Sequence, residues 1–225
     1  CKTISLISDR AKKTSKKNHE YASTNAVIGM VLMTAFSLML TVFMTGIPAK
    51  PVEVSIAESR ITIGRTKASE LLKAGFGFYT KNEDSEIVNR RDSHFQYGEL
   101  TEVIRDGKSY GIVSLTPEWG DIAMLKDCVI TYYGISADSE QLDKIKINNT
   151  SISKLKYDDF KNRRLIDIFS MNPGDYKESQ NGYYFSLQLQ TNSYMLWKRY
   201  TIKANFDEDY KAVQYEVLAQ QTIWE

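Results

Sequence analysis

Cysteine, histidine and proline are scarce in this chain, at 2, 2 and 4 residues of 225. Cys1 and Cys128 lie on opposite sides of a long uncharged segment, so the part after it is not a disulfide scaffold and needs an apolar core. Cys128 is interpreted as a small buried strand residue, because a catalytic thiolate would need a basic partner. His94 is the only histidine after that segment and has only Asp92 at ligand spacing, which argues against a metal centre.

Charge is missing altogether from Tyr21 to Ala49. Residues 26–47 would form a helix of about 33 Å, at about 1.5 Å per residue, which matches a hydrocarbon core of about 30 Å. The few hydroxyls in this segment can bond back to their own helix, and they are those of Thr34, Ser37, Thr41 and Thr45. We therefore predict a transmembrane helix over 26–47, which makes the lipid bilayer a partner.

A secretory signal peptide and a core helix of a soluble domain are the alternatives for this segment. A signal peptide has a shorter apolar region, of about 7–15 residues, and ends in a small-x-small cleavage site that Ile47-Pro48-Ala49 matches poorly. A core helix would normally show a polar face. Both alternatives stay open at the level of sequence.

The charges on the two sides of the segment predict its orientation. Six basic and two acidic residues precede it, a net +4, whereas 29 − 6 = 23 basic and 28 − 2 = 26 acidic residues follow it, a net −3. Short basic flanks stay in the cytoplasm. We predict a single-pass protein of the cell membrane with a cytoplasmic N-terminus and an extracytoplasmic C-terminal domain. That domain shows no basic stripe, so nucleic acid is not a predicted partner.

The predicted organisation has five parts: a cytoplasmic basic tail over 1–25, the helix over 26–47, a linker over 48–58, and two α+β repeats over 59–138 and 139–225. Because the chain begins with Cys1 rather than Met, we expect upstream residues that could hold another domain.

The first half reads as a short strand and a helix followed by antiparallel strands. Ile61 and Ile63 alternate as in a strand, Thr66 is predicted to cap the next helix, and Gly75 to end it. Asp106-Gly107 is a strong signal for a tight hairpin, and a further strand is predicted over 127–136.

The second half repeats this pattern. Shifted by 84 residues, six positions match, namely Ile61/Ile145, Ile63/Ile147, Thr66/Thr150, Ser69/Ser153, Leu71/Leu155 and Phe76/Phe160. A longer strand follows in which Tyr194, Leu196, Tyr200, Ile202, Ala204 and Phe206 alternate, and Val213, Tyr215 and Val217 mark the last strand. The predicted fold class is α+β: one N-terminal transmembrane helix followed by two repeated helix-on-antiparallel-sheet units.

These motifs carry a resemblance. Ile-x-Ile-Gly-x-Thr from Ile61, Glu-Leu-Leu-x-Ala-Gly-Phe from Glu70, Leu125–Ile130 and the second Ile-x-Ile-Asn-x-Thr from Ile145 resemble membrane-anchored extracytoplasmic proteins of Gram-positive bacteria, which have no established activity. Their paired helix-plus-meander units are similar in outline to the tandem-repeat β-lactamase-inhibitor fold. The chain departs from the usual pattern after the second helix, where Met171-Asn-Pro-Gly174 replaces a Gly-x-Pro turn. The resemblance implies no catalytic residue.

Aromatic side chains are the one compositional excess. Thirteen of the 14 tyrosines lie after the apolar segment, together with all 3 tryptophans. Such residues suit both a half-buried sheet and a binding face. Trp119 in the loop 116–120 is the best candidate for an exposed partner-binding aromatic side chain, and His94, Phe95 and Tyr97 form a second candidate group.

The sequence thus predicts a binding or accessory module that binds a protein or cell-envelope partner, with no catalytic residue, cofactor or metal. Two alternatives remain. One is a cell-envelope hydrolase with a carboxylate pair that sequence cannot identify, chosen for example from Glu118, Asp121, Asp158 and Asp159. The other is an accessory subunit of a larger membrane complex, whose helix would pack on others through Gly29, Ala35 and Ser37.

Overall fold

The computed structural model describes residues 25–46, 48–91, 96–160, 165–171, 175–181, 184–191 and 197–220. The chain divides into two compact units, residues 1–47 and 48–225. The first contains one described helix, and the second is a sheet-rich α+β domain with its own core.

Helix α1 spans Asn25–Thr45, close to the predicted 26–47. Its apolar side chains point outward all round, so that Phe36 is 57% exposed and Phe43 is 81% exposed. The hydroxyls of Thr34, Thr41 and Thr45 donate to the carbonyls four residues earlier at 2.8–2.9 Å, which confirms the predicted back-bonding. Among the described residues it is the single helix long and apolar enough to cross a membrane, as a membrane anchor or a signal sequence would be.

The domain begins with a small antiparallel sheet. Its strands are β1 (Glu53–Ile56), β2 (Ser59–Thr62), β11 (Ile145–Ile147) and β12 (Thr150–Ser151), in the order β12-β11-β1-β2. Val52, Val54 and Ile56 are all fully buried. The prediction of a linker over 48–58 is therefore wrong for this stretch, because alternate apolar residues place it at the centre of a sheet.

The large sheet contains eight described strands in the order β13-β14-β15-β16-β10-β8-β7-β3, and all of its pairs are antiparallel. The strands are β3 (Gly77–Phe78), β7 (Glu99–Arg105), β8 (Lys108–Thr116), β10 (Val129–Ser136), β13 (Asp175–Asn181), β14 (Tyr184–Gln190), β15 (Arg199–Phe206) and β16 (Ala212–Gln220). Two short pairs lie apart from it, β4 (Glu86–Val88) with β9 (Ile122–Met124) and β5 (Arg90–Arg91) with β6 (Gln96–Tyr97).

Several strand predictions are confirmed. Asp106 and Gly107 adopt φ values of 53° and 71° in the two-residue turn between β7 and β8. The alternating residues Tyr200, Ile202, Ala204 and Phe206 of β15 are buried at 3% exposure or less, whereas Tyr194 and Leu196 of the same prediction lie outside the described residues. Val213, predicted on the last strand, is 37% exposed and is not part of the buried face. The pairing register of β15 with β16 shifts between Asn205 and Phe206, so that Val213 has no residue opposite it.

Short helices contribute side chains to the same core as the two sheets. They are α2 (Ala68–Lys73), α3 (Tyr157–Phe160) and α4 (Leu165–Phe169), and they bury Leu71, Phe160 and Phe169. Gly75 ends α2 as predicted, with φ +82°, and the Phe76 N–H donates to the Leu71 carbonyl at 3.0 Å.

The prediction that Thr66 caps α2 is wrong. Lys67 is the residue that precedes the helix, and the Thr66 hydroxyl instead accepts a hydrogen bond from the Thr62 N–H at 2.8 Å. The side chain thus closes the turn after β2.

The 84-residue register does not pair equivalent strands. Ile61 lies on β2, the second strand of the first hairpin, whereas Ile145 lies on β11, the first strand of the second hairpin. Equal spacing of apolar residues in adjacent short strands made the shifted match possible.

Candidate functional site

The loop between β8 and β9 presents an indole to solvent. Trp119 is 86% exposed, the highest value among the large apolar side chains of the described residues. Gly120 follows with φ +98°, a conformation that lets the chain turn back into β9. The structure therefore agrees with an exposed aromatic at Trp119, and its role in binding stays a prediction.

Asn89 joins this loop to the base of the neighbouring hairpin. Its N–H donates to the Asp121 carbonyl at 2.6 Å, and its Nδ2 lies 3.5 Å from the Gly120 carbonyl. The hairpin strands that follow, β5 and β6, pair Arg90 with Tyr97. The Trp119 loop is thus bonded to the residue that precedes β5. His94 and Phe95 lie outside the described residues, and for Tyr97 only the strand position is described.

Gly98 fixes the hairpin against the sheet. A Cβ at this position would lie 1.6 Å from the Leu115 carbonyl oxygen and 2.7 Å from the Thr116 Cα. Only a glycine allows the backbone of this residue to approach β8 so closely. The hairpin base and the end of β8, from which the Trp119 loop departs, are therefore held together by backbone packing.

Strands β4 and β9 expose a row of apolar side chains that sequence reasoning missed. Val88 pairs with Ile122, and Met124 lies on the same face, with exposures of 46%, 57% and 40%. Ile87 points the other way and is fully buried. We call Val88, Ile122 and Met124 the apolar strip. The alternation of side chains along β4 and β9 indicates that each strand has two faces. It does not indicate which of these faces the rest of the domain covers.

Two cations meet near the start of the domain. The Lys198 ammonium donates to the carbonyl of Gly64, which occupies the turn after β2 with φ +78°. The adjacent Arg65 is exposed, and its guanidinium interacts with the Tyr200 hydroxyl. Burial lowers the pKa of Lys198, Glu118 acts to raise it, and the charge of Arg65 lowers it further. We call Arg65 and Lys198 the cation pair.

A tyrosine-lined cleft lies at the turn between β15 and β16. Its volume is about 640 Å³, and its lining includes Tyr157, Tyr210, Tyr215, Lys156 and Asp158. The rings of Tyr157 and Tyr210 lie 4.5 Å apart between centroids. Burial raises the pKa of Tyr215 to about 12. Three distant stretches of chain form this cleft, so no local motif indicates it.

The carboxylates considered for hydrolysis fall in two places. Glu118 and Asp121 belong to the Trp119 loop, whereas Asp158 and Asp159 belong to α3. Asp159 accepts a hydrogen bond from the Lys156 N–H at 2.8 Å, as a residue that closes a helix start does. The cleft that contains Asp158 is not lined by either carboxylate of the loop.

Two serine motifs in the sequence lack the context that their chemistry requires. Gly107–Gly111 fits Gly-x-Ser-x-Gly, but it begins in the β7–β8 hairpin turn and continues along β8, whereas a nucleophile elbow joins a strand to a helix. Ser151–Lys154 and Ser153–Lys156 both fit Ser-x-x-Lys, but they lie between the end of β12 and the start of α3 rather than on a helix. We assign no nucleophile to either motif.

Cys128 is buried, as predicted, and lies one residue before β10. It has no exposed surface, and burial raises the pKa of its thiol to about 11. In the part of the chain that the structure describes, no three potential ligands from His, Cys, Asp and Glu group together as a metal site.

The chain matches no protein-family model, no curated protein and no solved structure.

Proposed function

We propose that this protein is a single-pass membrane protein whose extracytoplasmic C-terminal domain binds a protein partner without catalysing a reaction. Helix α1 supports the anchorage. It is 21 residues long, apolar on every side and not covered by the described parts of the chain. Its threonine hydroxyls are already bonded to its own backbone, which removes their cost of transfer into lipid.

The proposed orientation rests on charge. The net +4 of the residues before the helix favours a cytoplasmic N-terminus, because basic flanks are retained on that side. The domain of residues 48–225 is then on the opposite side of the cell membrane. It contains one cysteine, Cys128, so its fold does not depend on disulfide formation there.

The observation that carries the binding function is the apolar strip beside the Trp119 loop. Three apolar side chains on one face of a two-stranded pair are exposed, and an almost fully exposed indole lies in the loop that leads into β9 of that pair. Exposed apolar groups that adjoin one another mark interaction surfaces, and tryptophan is enriched among the residues that dominate interfaces. A protein partner with its own apolar patch fits this surface best.

The strand order supports a tandem repeat in the domain. The meander β3-β7-β8-β10 and the meander β13-β14-β15-β16 meet through their last strands, and the hairpins β1-β2 and β11-β12 meet through their first strands. Aligning the positive-φ turn residues Ala57 and Asn148 gives a register of 148 − 57 = 91 residues. This register pairs Ile56 with Ile147 and Ile61 with Ile152, all at 1% exposure or less. The resemblance to two-repeat extracytoplasmic proteins stays a prediction.

Carbonate extraction of isolated membranes tests the anchorage, and protease treatment of intact cells tests the orientation. We expect the full-length chain to stay with membranes in alkaline carbonate, and a protease added from outside to digest the C-terminal domain. Release by carbonate, or a C-terminal domain that is protected until the cells are lysed, would contradict the anchorage or the orientation, respectively.

A charge placed in the apolar strip tests the binding function. We expect Ile122→Glu to reduce at least tenfold the yield of a partner cross-linked to the full-length protein in membranes, because it buries a carboxylate in the interface. Val213→Glu, which places the same charge at an exposed apolar position on β16, is the control and should keep the yield. Equal yields for both variants would remove the apolar strip from the proposal.

A further inference from the structure

The cation pair lies next to the point where the chain enters the domain. The Ile63 N–H donates to the Val52 carbonyl at 3.0 Å, and the Gly64 N–H donates to the Ile130 carbonyl at 2.7 Å. These bonds fix the turn that carries Arg65 beside the first residues of the domain. A Cβ on Gly64 would lie 2.7 Å from the Ala219 Cβ, so the turn is also packed closely against β16.

We propose that Arg65 and Lys198 bind a phosphate group and that the headgroup of an anionic phospholipid supplies it. The inference rests on the membrane anchorage proposed above and names a second contact of the same domain with the bilayer.

Electrostatics gives the first argument. Lys198 is partly desolvated, and its ammonium is bonded to a backbone carbonyl rather than to a carboxylate. Arg65 places a second positive charge near Lys198, and the single negative charge of Glu118 can neutralise only one of these two cations. A phosphate oxygen between the cations would relieve their repulsion and accept charge-assisted hydrogen bonds from both. The pair therefore has the chemistry of an anion site.

The length of the connection gives the second argument. Residues 46–52 connect the end of α1 to the first buried residue of the domain, and seven residues span at most about 25 Å when fully extended. With α1 in a bilayer, this connection keeps the domain entry within that reach of the headgroups. A short tether gives a local concentration of about millimolar, at which weak phosphate contacts are occupied. Soluble phosphate has no such advantage.

The test measures how fast an amine reagent acetylates Lys198 in the full-length chain reconstituted into nanodiscs. The two compositions are phosphatidylcholine alone and phosphatidylcholine with about one third phosphatidylglycerol. We expect acetylation of Lys198 to be at least threefold slower in the anionic discs and to return to the neutral rate in 1 M salt, where the Debye length is about 3 Å. Lys108, the exposed first residue of β8, is the internal reference.

Variants separate the site from general attraction. Each basic residue near an anionic surface contributes a factor of about five in occupancy. We therefore expect Arg65→Gln to remove most of the protection at Lys198, Arg65→Lys to retain it, and Lys108→Gln to leave it unchanged. Arg65 is exposed, so these variants leave the core intact. Equal protection in Arg65→Gln and the parent chain would overturn the assignment of this site.

Free inorganic phosphate distinguishes the two sources of the same chemistry. Added to the neutral discs at matched ionic strength, 20 mM phosphate (roughly the millimolar level set by tethering) should not protect Lys198. Protection there would overturn the lipid assignment in favour of a soluble phosphate compound. A chain that fails to co-elute with the discs contradicts the anchorage, whereas a co-eluting chain with unprotected Lys198 contradicts this inference alone.

Discussion

Replacement of Phe206 by alanine should remove a large part of the free energy of unfolding of the domain. Phe206 is fully buried at the end of β15, and its ring contacts Tyr157 and Phe160 edge-on, with centroids 5.1 and 5.4 Å apart. Removing a buried phenylalanine side chain costs about 3–5 kcal/mol through lost burial and an unfilled cavity. For a domain of this size, each kcal/mol lowers the Tm by about 2–4 °C, so we expect a decrease of roughly 6–20 °C.

Leucine at the same position separates the ring contacts from the burial. Phe206→Leu keeps most of the buried volume but loses both edge-on contacts, each worth about 0.5–1.5 kcal/mol, so we expect a loss of about 1–3 kcal/mol. Tyr184→Ala is the control on the neighbouring strand, because Tyr184 is 57% exposed and a surface substitution changes stability by about 0.5 kcal/mol at most.

The assay is urea unfolding of the full-length chain in mild detergent, followed by tryptophan fluorescence. All 3 tryptophans belong to residues 48–225, so the signal reports the domain rather than α1. The free energy of unfolding and the slope m are extracted from each curve. A loss below about 1 kcal/mol for Phe206→Ala, with m unchanged, would refute the packing of α3 on β15 that the number depends on.

Three further predictions follow from single positions. Phe36→Lys puts a charge at the centre of α1, which costs about 2.5–3.5 kcal/mol in membrane insertion, and should raise the carbonate-released fraction. In a Cys1→Ser background, Cys128 should resist alkylation at pH 8 until the domain unfolds. Burial raises the pKa of the Cys128 thiol to about 11. The contribution of the neutral thiol to stability is therefore complete below the ordinary thiol pKa and is lost as the pH rises to about 11, which urea unfolding at a series of pH values measures. Gly75→Ala should cost only about 1 kcal/mol because its φ is positive but its surroundings are open, whereas Gly98→Ala should cost more, since its Cβ would overlap a backbone carbonyl of β8; equal losses in urea would contradict this contrast.

Several local conformations could be predicted well from the sequence. An uncharged run longer than a bilayer core allows few structures other than a long apolar helix, and Asp106-Gly107 strongly favours a two-residue hairpin turn. Gly75 could be assigned to a helix end because few other residues adopt its φ without strain. The alternation in β15 indicated its buried face because one side of that strand is apolar throughout.

Long-range pairing was decided only by the tertiary structure. Val54 and Ile56 could belong to a linker or to a strand, and their pairing with Ile147 and Ile145, which lie 93 and 89 positions later in the chain, places them in the core. The same holds for β13, whose sequence Asp-Tyr-Lys-Glu-Ser-Gln-Asn has no strand pattern but pairs along its whole length with β14. Backbone hydrogen bonds do not depend on side-chain type, so a partner strand can recruit such a segment.

The candidate surfaces divide in the same way. Trp119 could be proposed from its loop because a tryptophan between proline and glycine has few ways to be buried. The sequence could not indicate the apolar strip, the cation pair or the tyrosine-lined cleft, because each of them combines side chains from separate stretches of chain. The sequence by itself determined the local conformations and the apolar helix, since these depend on neighbouring residues. Only the tertiary structure decided which exposed groups share a surface, since that depends on which distant strands pair.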